Sequence, residues 1–175
     1  MAQAPAPAGR DNYPETDEVH TMSEPSKKSP FLPPRWVVRV AWVAHRSIYR
    51  ITGGRLGLGK ATATNWGTMR LRTIGRRSGV ERTAILGYFE DGANLVTMAM
   101  NGWADPEPAW WLNLQAHPDT SAVLADGPRA VRARAAGPDE RPRLWARWAD
   151  YDQGLDEYAS RRTHETAVVI LEPRD

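Results

Sequence analysis

Residues 68–89 read Thr-Met-Arg-Leu-Arg-Thr-Ile-Gly-Arg-Arg-Ser-Gly-Val-Glu-Arg-Thr-Ala-Ile-Leu-Gly-Tyr-Phe. Over 68–74, Met69, Leu71 and Thr73 alternate with Arg70 and Arg72. A period of two places the two sets on opposite faces of a strand. Gly75-Arg76-Arg77-Ser78-Gly79 then supplies a turn, and 82–89 supplies a second strand. The segment is therefore a β-hairpin whose tip carries adjacent arginines.

The same grammar continues outward. Glu90-Asp91-Gly92 is a turn, and 93–100 is a third strand, apolar enough to be central. Segments 121–124 and 129–135 form a further hairpin around Asp126-Gly127-Pro128, and 167–171 is a closing strand. Between them lie helices over 108–115, over 138–151 with Leu144, Trp145 and Trp148 on one side, and over 155–161. About six strands with few, short helices and consecutive hairpins indicate a mainly β fold. An antiparallel barrel fits better than βαβ units. There is no internal repeat. The barrel domain is expected to span 66–173.

Two segments precede it. Residues 1–33 are rich in Pro, Ala, Ser and charge, which cannot offset ordering entropy, and read as a disordered tail. Residues 34–54 read as an amphipathic basic helix. Val37, Ala41, Ala44, Ile48 and Ile51 make one stripe and Arg35, Arg39, Arg46 and Arg50 another; Gly53-Gly54 ends it.

Charge is unevenly placed. The net charge is +2, but 34–82 holds eleven basic residues and one acidic. That block is where an anion or an anionic surface should bind. Almost all of its cations are arginines, which suit bidentate contacts to phosphate and carboxylate. The absence of cysteine excludes disulfides and thiolate chemistry. No leader-like apolar run opens the chain, and no stretch is long and apolar enough to span a membrane. The cytoplasm is the expected location.

Candidate sites follow from residue type. The glycines around Arg76, Arg77 and Ser78 let the backbone turn sharply and present N–H groups to an anion, and Arg82 can point to the same place. From spacing alone the same turn also reads as a solvated surface loop. In Pro108-Ala-Trp-Trp-Leu-Asn-Leu, the adjacent tryptophans face different directions. One can pack in the core while the other borders a pocket. Asn113 needs hydrogen-bond partners if buried. There is no phosphate-binding P-loop, no G-x-S-x-G and no histidine pair at ligand spacing, so no metal site is expected. A bound organic cofactor is then the natural carrier of redox chemistry.

These motifs occur in a specific order: Leu71 to Arg82, Gly87-Tyr88, Asn101-Gly102, Pro108 to Pro118, and Leu171-Glu-Pro173. In that order the chain resembles the deazaflavin (coenzyme F420)-dependent nitroreductase and quinone reductase family over roughly 35–173. The resemblance implies a split β-barrel of the flavin-reductase type. It implies hydride transfer from reduced coenzyme F420 to a small oxidised acceptor, a quinone or a nitroaromatic compound. It places the cofactor's anionic tail at Arg76, Arg77, Ser78, Gly79 and Arg82. The ring is placed at Met98, Ala99, Met100 and Asn101, with Trp110, Trp111 and Asn113 near ring and tail. Tyr158 and Tyr151 would border the acceptor as proton donors. The chain departs from the family at Ala84-Ile85, where Asn-Pro is common, at Asn101, where lysine is common, at Trp103 in place of a glycine, and at Leu155 in place of a tyrosine. The departures fall mostly on the acceptor side.

Other readings share the composition. A flavin mononucleotide (FMN) or haem-binding relative, or a non-catalytic split barrel, would also use a basic loop. The helix at 35–51 could lie on an anionic membrane surface, or pack on the barrel with solvated arginines. A nucleic-acid partner is not expected, since no nucleic-acid motif accompanies the arginines. Monomer and homodimer both stay open.

Overall fold

The computed structural model describes residues 57–103 and 105–175. The tail expected over 1–33 and the helix expected over 34–54 lie outside the described residues. Strand β1 (Gly67–Ile74) and strand β2 (Glu81–Asp91) form the hairpin around residues 75–79. Strand β3 (Asn94–Met98) returns beside the end of β2. Helix α1 (Ala109–Ala116) follows, then the hairpin of β4 (Asp119–Leu124) and β5 (Gly127–Ala135). Helices α2 (Arg141–Tyr151) and α3 (Leu155–Ala159) lead to strand β6 (Val168–Pro173). The strands close in the order β1-β2-β3-β6-β5-β4, and every described pairing is antiparallel.

The alternation in β1 is the barrel's inside and outside. Met69, Leu71 and Thr73 are buried while Arg72 is exposed. Met69 and Leu71 join Leu95, Val131, Val169 and Leu171 in the interior, which Trp110, Trp111 and Leu114 of α1 complete. A second apolar cluster lies under α2 and α3, where Leu144, Trp148 and Leu155 pack with Phe89, Val96 and Ile170. The one-sided pattern of α2 thus becomes a packing face; Trp145 is half-buried, and its indole N–H donates to Asp156 at 2.7 Å.

Element ends differ from the periodicity for identifiable reasons. The third strand stops at Met98 rather than 100, because the Met100 N–H turns back to the Met98 carbonyl at 2.9 Å and the chain leaves the sheet. The helix expected from 138 starts at Arg141, because the Glu140 carboxylate accepts the Gly137 N–H at 2.9 Å and holds 137–140 as a turn. The short helix expected to 161 ends at Ala159.

Glu140 also clamps the sheet to α2. Arg134 Nη1 and Nη2 donate to its carboxylate at 2.6 and 2.8 Å, and Arg134 Nε donates to Glu172 at 2.7 Å. The Arg134 bonds to its carboxylate, and then the Gly137 N–H, pull Glu140 down from an ordinary 4.5 to about 2. A lowered carboxylate stabilises the fold above its unfolded pKa and loses that contribution as pH falls through the folded one. Thermal unfolding followed by circular dichroism should therefore weaken between pH 4.5 and about 2. Glu140→Gln should be less stable at neutral pH and show a flatter acid dependence.

The barrel is split on one side. β2 pairs with β1 from Glu81 to Tyr88, but with β3 only at Phe89, Glu90 and Asp91. β3 instead follows β6 through Met98. A gap therefore opens between the first half of β2 and the end of β3, bridged at its inner end by Thr97 Oγ1, which donates to the Gly87 carbonyl at 2.8 Å.

Candidate active site

A groove of about 1120 Å³ occupies this gap. Its floor is β2 from Glu81 to Gly87, and its far wall is Thr97, Met98, Met100 and Asn101. At one end stand Arg76, Arg77, Ser78 and Arg82; at the other, Ile85, Leu86, Gly87, Met98 and Met100, with Arg70 paired across from Ile85. A strand rises roughly 3.3 Å per residue, so the basic and apolar ends lie on the order of 15 Å apart along β2.

The basic loop is shaped by two glycines and one asparagine. Gly79 has φ +65°, which glycine adopts without strain. A Cβ on Gly75 would stand 2.7 Å from Ser78 Oγ and 3.2 Å from the Val80 carbonyl, so the turn closes only over a glycine. Asn113 reaches across from α1 and is 5% exposed. Its Oδ1 accepts the Arg76 backbone N–H at 3.1 Å and Arg76 Nη1 at 3.4 Å, and its Nδ2 donates to Thr73 Oγ1 at 3.2 Å. The partners that a buried asparagine demands are thus the loop and the strand leading into it.

Most of the loop's backbone N–H groups are already engaged. Ser78 and Gly79 N–H groups donate to the Gly75 carbonyl, Gly75 N–H to Val80, Val80 N–H to Ser78 Oγ, and Arg76 N–H to Asn113. These N–H groups hold the loop's own shape, so most of the charge for an anion comes from the side chains.

Of the residues singled out in the sequence, Arg76, Arg77, Ser78, Arg82, Met98, Met100, Asn101, Trp110 and Asn113 line the groove. Gly79, Ala99 and Trp111 do not: Gly79 shapes the turn, and Ala99 and Trp111 are buried in the core. The tryptophan pair divides as its opposed directions require, with ring centroids 6.3 Å apart.

A second cavity, of about 430 Å³, adjoins the groove. Both are lined by Ile85, Leu86, Gly87, Met98 and Met100. The remaining walls are Trp66, Thr68, Trp103, Trp148, Tyr151 and Asp152. Tyr151 lies in this wall and its hydroxyl donates to the Thr62 carbonyl at 3.4 Å. Tyr158 stands one layer out, its ring stacked on Trp103 at 5.8 Å. Trp103 has φ +60°, an unfavoured conformation for a side chain of its size. Trp66, Thr68, Trp148 and Asp152 were not legible as site residues. The sole sequence hint was a large aromatic, Trp66, placed outside any apolar stripe.

A family model described as F420H2-dependent quinone reductase matches residues 42–173. The chain belongs to the F420H2-dependent quinone reductase family. It is an oxidoreductase whose cofactor is coenzyme F420. A Mycobacterium tuberculosis protein, Rv3178, provisionally named an F420H2-dependent quinone reductase, is 36% identical over 107 residues, which is 61% of this chain and 90% of that protein. Among solved structures, an F420H2-dependent reductase (FDR-A) is similar at TM-score 0.55 and 24% identity, covering 60% of this chain and 93% of that one. A domain-swapped dimer is similar at TM-score 0.58 and 22% identity, covering 77% and 99%. These likenesses show the split-barrel fold.

The groove suits this family's cofactor by its own chemistry. A deazaflavin with an anionic tail needs an apolar slot at one end and positive charge at the other, and the groove offers Met98 and Met100 at one and Arg76, Arg77 and Arg82 at the other. Family membership selects coenzyme F420 over the flavin mononucleotide and haem alternatives. Among the described residues, no helix is long and apolar enough to cross a membrane.

Proposed function

We propose that this quinone reductase family member reduces a small, flat, oxidised acceptor, a quinone or nitroaromatic compound, held in the 430 Å³ cavity. The observation that supports this is the wall common to groove and cavity. An acceptor against Met98 and Met100 would lie beside the apolar end of the groove with no other layer between.

Arg76, Arg77, Ser78 and Arg82 hold the cofactor's anionic tail, and Trp110 and Asn113 close the groove beside them. Met98, Met100 and Asn101 border the ring. The bound reduced cofactor supplies a hydride. The protein's own part is placement and exclusion of water by Trp66, Trp103 and Trp148 around the acceptor. The reduced acceptor anion needs a proton at oxygen. Tyr151, in the cavity wall, is better placed to donate it than Tyr158, which acts through Trp103 by stacking.

The test is direct. Purified protein should quench coenzyme F420 fluorescence saturably, and the reduced cofactor should be oxidised in the presence of menadione. No saturable binding would overturn the assignment of the groove. Binding without menadione-dependent oxidation would overturn the assignment of the cavity.

A further inference from the structure

Arg162 is a buried cation that the proposed reaction does not use. It is 7% exposed. Its Nη1 donates to the Ala99 carbonyl at 3.0 Å and to Thr166 Oγ1 at 2.7 Å. Its Nη2 lies 2.7 Å from His164 Nε2 and 3.4 Å from Glu107 Oε1, and its Nε faces Asp105 Oδ1 at 3.8 Å. His164 extends the cluster, with Nδ1 3.2 Å from Asp105 and Nε2 3.1 Å from Glu107. The Thr163 N–H donates to Asp105 Oδ2 at 3.2 Å.

The location gives the cluster its meaning. The Ala99 N–H still donates to the Ala167 carbonyl at 2.9 Å, as a ladder residue would. The ladder then stops, and the Ala99 carbonyl faces no further strand N–H. The Arg162 guanidinium supplies the missing donor. The Met100 N–H turns back to the Met98 carbonyl at 2.9 Å, so the chain leaves the sheet at this point. Met98 and Met100, on either side of Ala99, stand in the wall between groove and cavity. Past them, the carboxylates of Asp105 and Glu107 end on the same guanidinium. One side chain fixes both where the chain leaves the barrel and where it returns toward α1.

We propose that Arg162 is the positioning residue of the shared wall, holding Met98 and Met100 at the separation across which hydride passes. The proposal rests on the assignment of groove and cavity given above. A buried charge is tolerated only when paired and hydrogen-bonded, and here the pairing is made with the chain bordering the site. Lysine cannot replace it, because a single ammonium lacks the planar fork that serves a carbonyl and two carboxylates together.

The full chain carrying Arg162→Lys tests this in three ways. Acceptor turnover should fall about 10- to 100-fold, the cost of a displacement of about 1 Å at a reacting centre. The dissociation constant for coenzyme F420 should change far less than turnover, because the tail anchors lie on the β1–β2 hairpin, away from Arg162. Hydrogen exchange of the cofactor-free protein should quicken in peptides covering 98–103 and not in those covering 68–79. Guanidinium ion should restore part of the turnover of Arg162→Ala.

Unchanged turnover would overturn the proposal. So would faster exchange spread evenly over the barrel, which marks a merely structural role. Should Arg162→Lys fail to fold, Asp105→Asn with Glu107→Gln cuts the loop side of the tie and should give the same local exchange; its absence overturns the proposal equally. Failure of the unsubstituted protein to bind coenzyme F420 would overturn the groove's assignment instead, and the exchange pattern would still report whether Arg162 fixes 98–103.

Discussion

Replacing Asn113 with leucine is expected to weaken coenzyme F420 binding by about tenfold or more and to lower stability while the barrel stays folded. Leucine has nearly the same shape, so α1 keeps its packing. The substitution leaves Thr73 Oγ1 and the Arg76 N–H, both now bonded to Asn113, without partners. An unsatisfied buried polar group costs about 1–3 kcal/mol, and about 1.4 kcal/mol is a factor of ten in affinity. The loop at 75–79 would relax to recover those bonds, and Arg76 would leave its place beside Arg77. Fluorescence titration and a thermal melt on the same preparation separate the two effects. Affinity equal to that of the unsubstituted protein would show that the loop holds its shape without α1.

Gly67→Ala should cost stability at the upper end of the roughly 1–3 kcal/mol typical of overpacking. A Cβ there would stand 2.5 Å from the Ala61 nitrogen, 2.7 Å from the Gly59 carbonyl and 2.6 Å from Tyr88 Cε1. Two of these atoms are backbone and cannot swing aside. The connector ahead of β1 folds back over the strand, with the Thr68 N–H donating to Gly59 at 2.9 Å. The added methyl would push it away and carry Trp66 off the cavity. A melting temperature lower by on the order of 10 °C is expected from differential scanning calorimetry. Acceptor turnover should fall with it, whereas the arginine end of the groove is untouched. An unshifted melt would mean that the connector yields freely.

How much of this was legible depended on sequence distance. The hairpin at 68–89 could be read because alternation and turn residues are local, and neighbouring hairpins then implied a barrel. The β3–β6 and β1–β4 pairings that close it leave no local mark. Neither does the split, which arises because β3 leaves β2 after a short pairing. Asn113 could be flagged as needing partners, but its partners are 37 and 40 residues away. Arg162 was unreadable for a different reason. Beside Arg161, in an arginine-rich chain, nothing distinguishes a buried guanidinium from a solvated one until the Ala99 carbonyl arrives next to it. The second cavity escaped because Trp148 read correctly as a core residue and is also a cavity wall.

The common wall has an evolutionary consequence. Residues lining only the groove come from the stretch 70–113, whereas Trp148, Tyr151 and Asp152 come from α2 and the turn after it. The Arg134–Glu140 clamp fixes the point where that second stretch joins the sheet. On the assignments proposed here, the barrel is a chassis with a fixed socket for one redox partner and an exchangeable fitting for the other. Substitutions in α2 and the turn after it can diversify what is reduced without renegotiating what does the reducing.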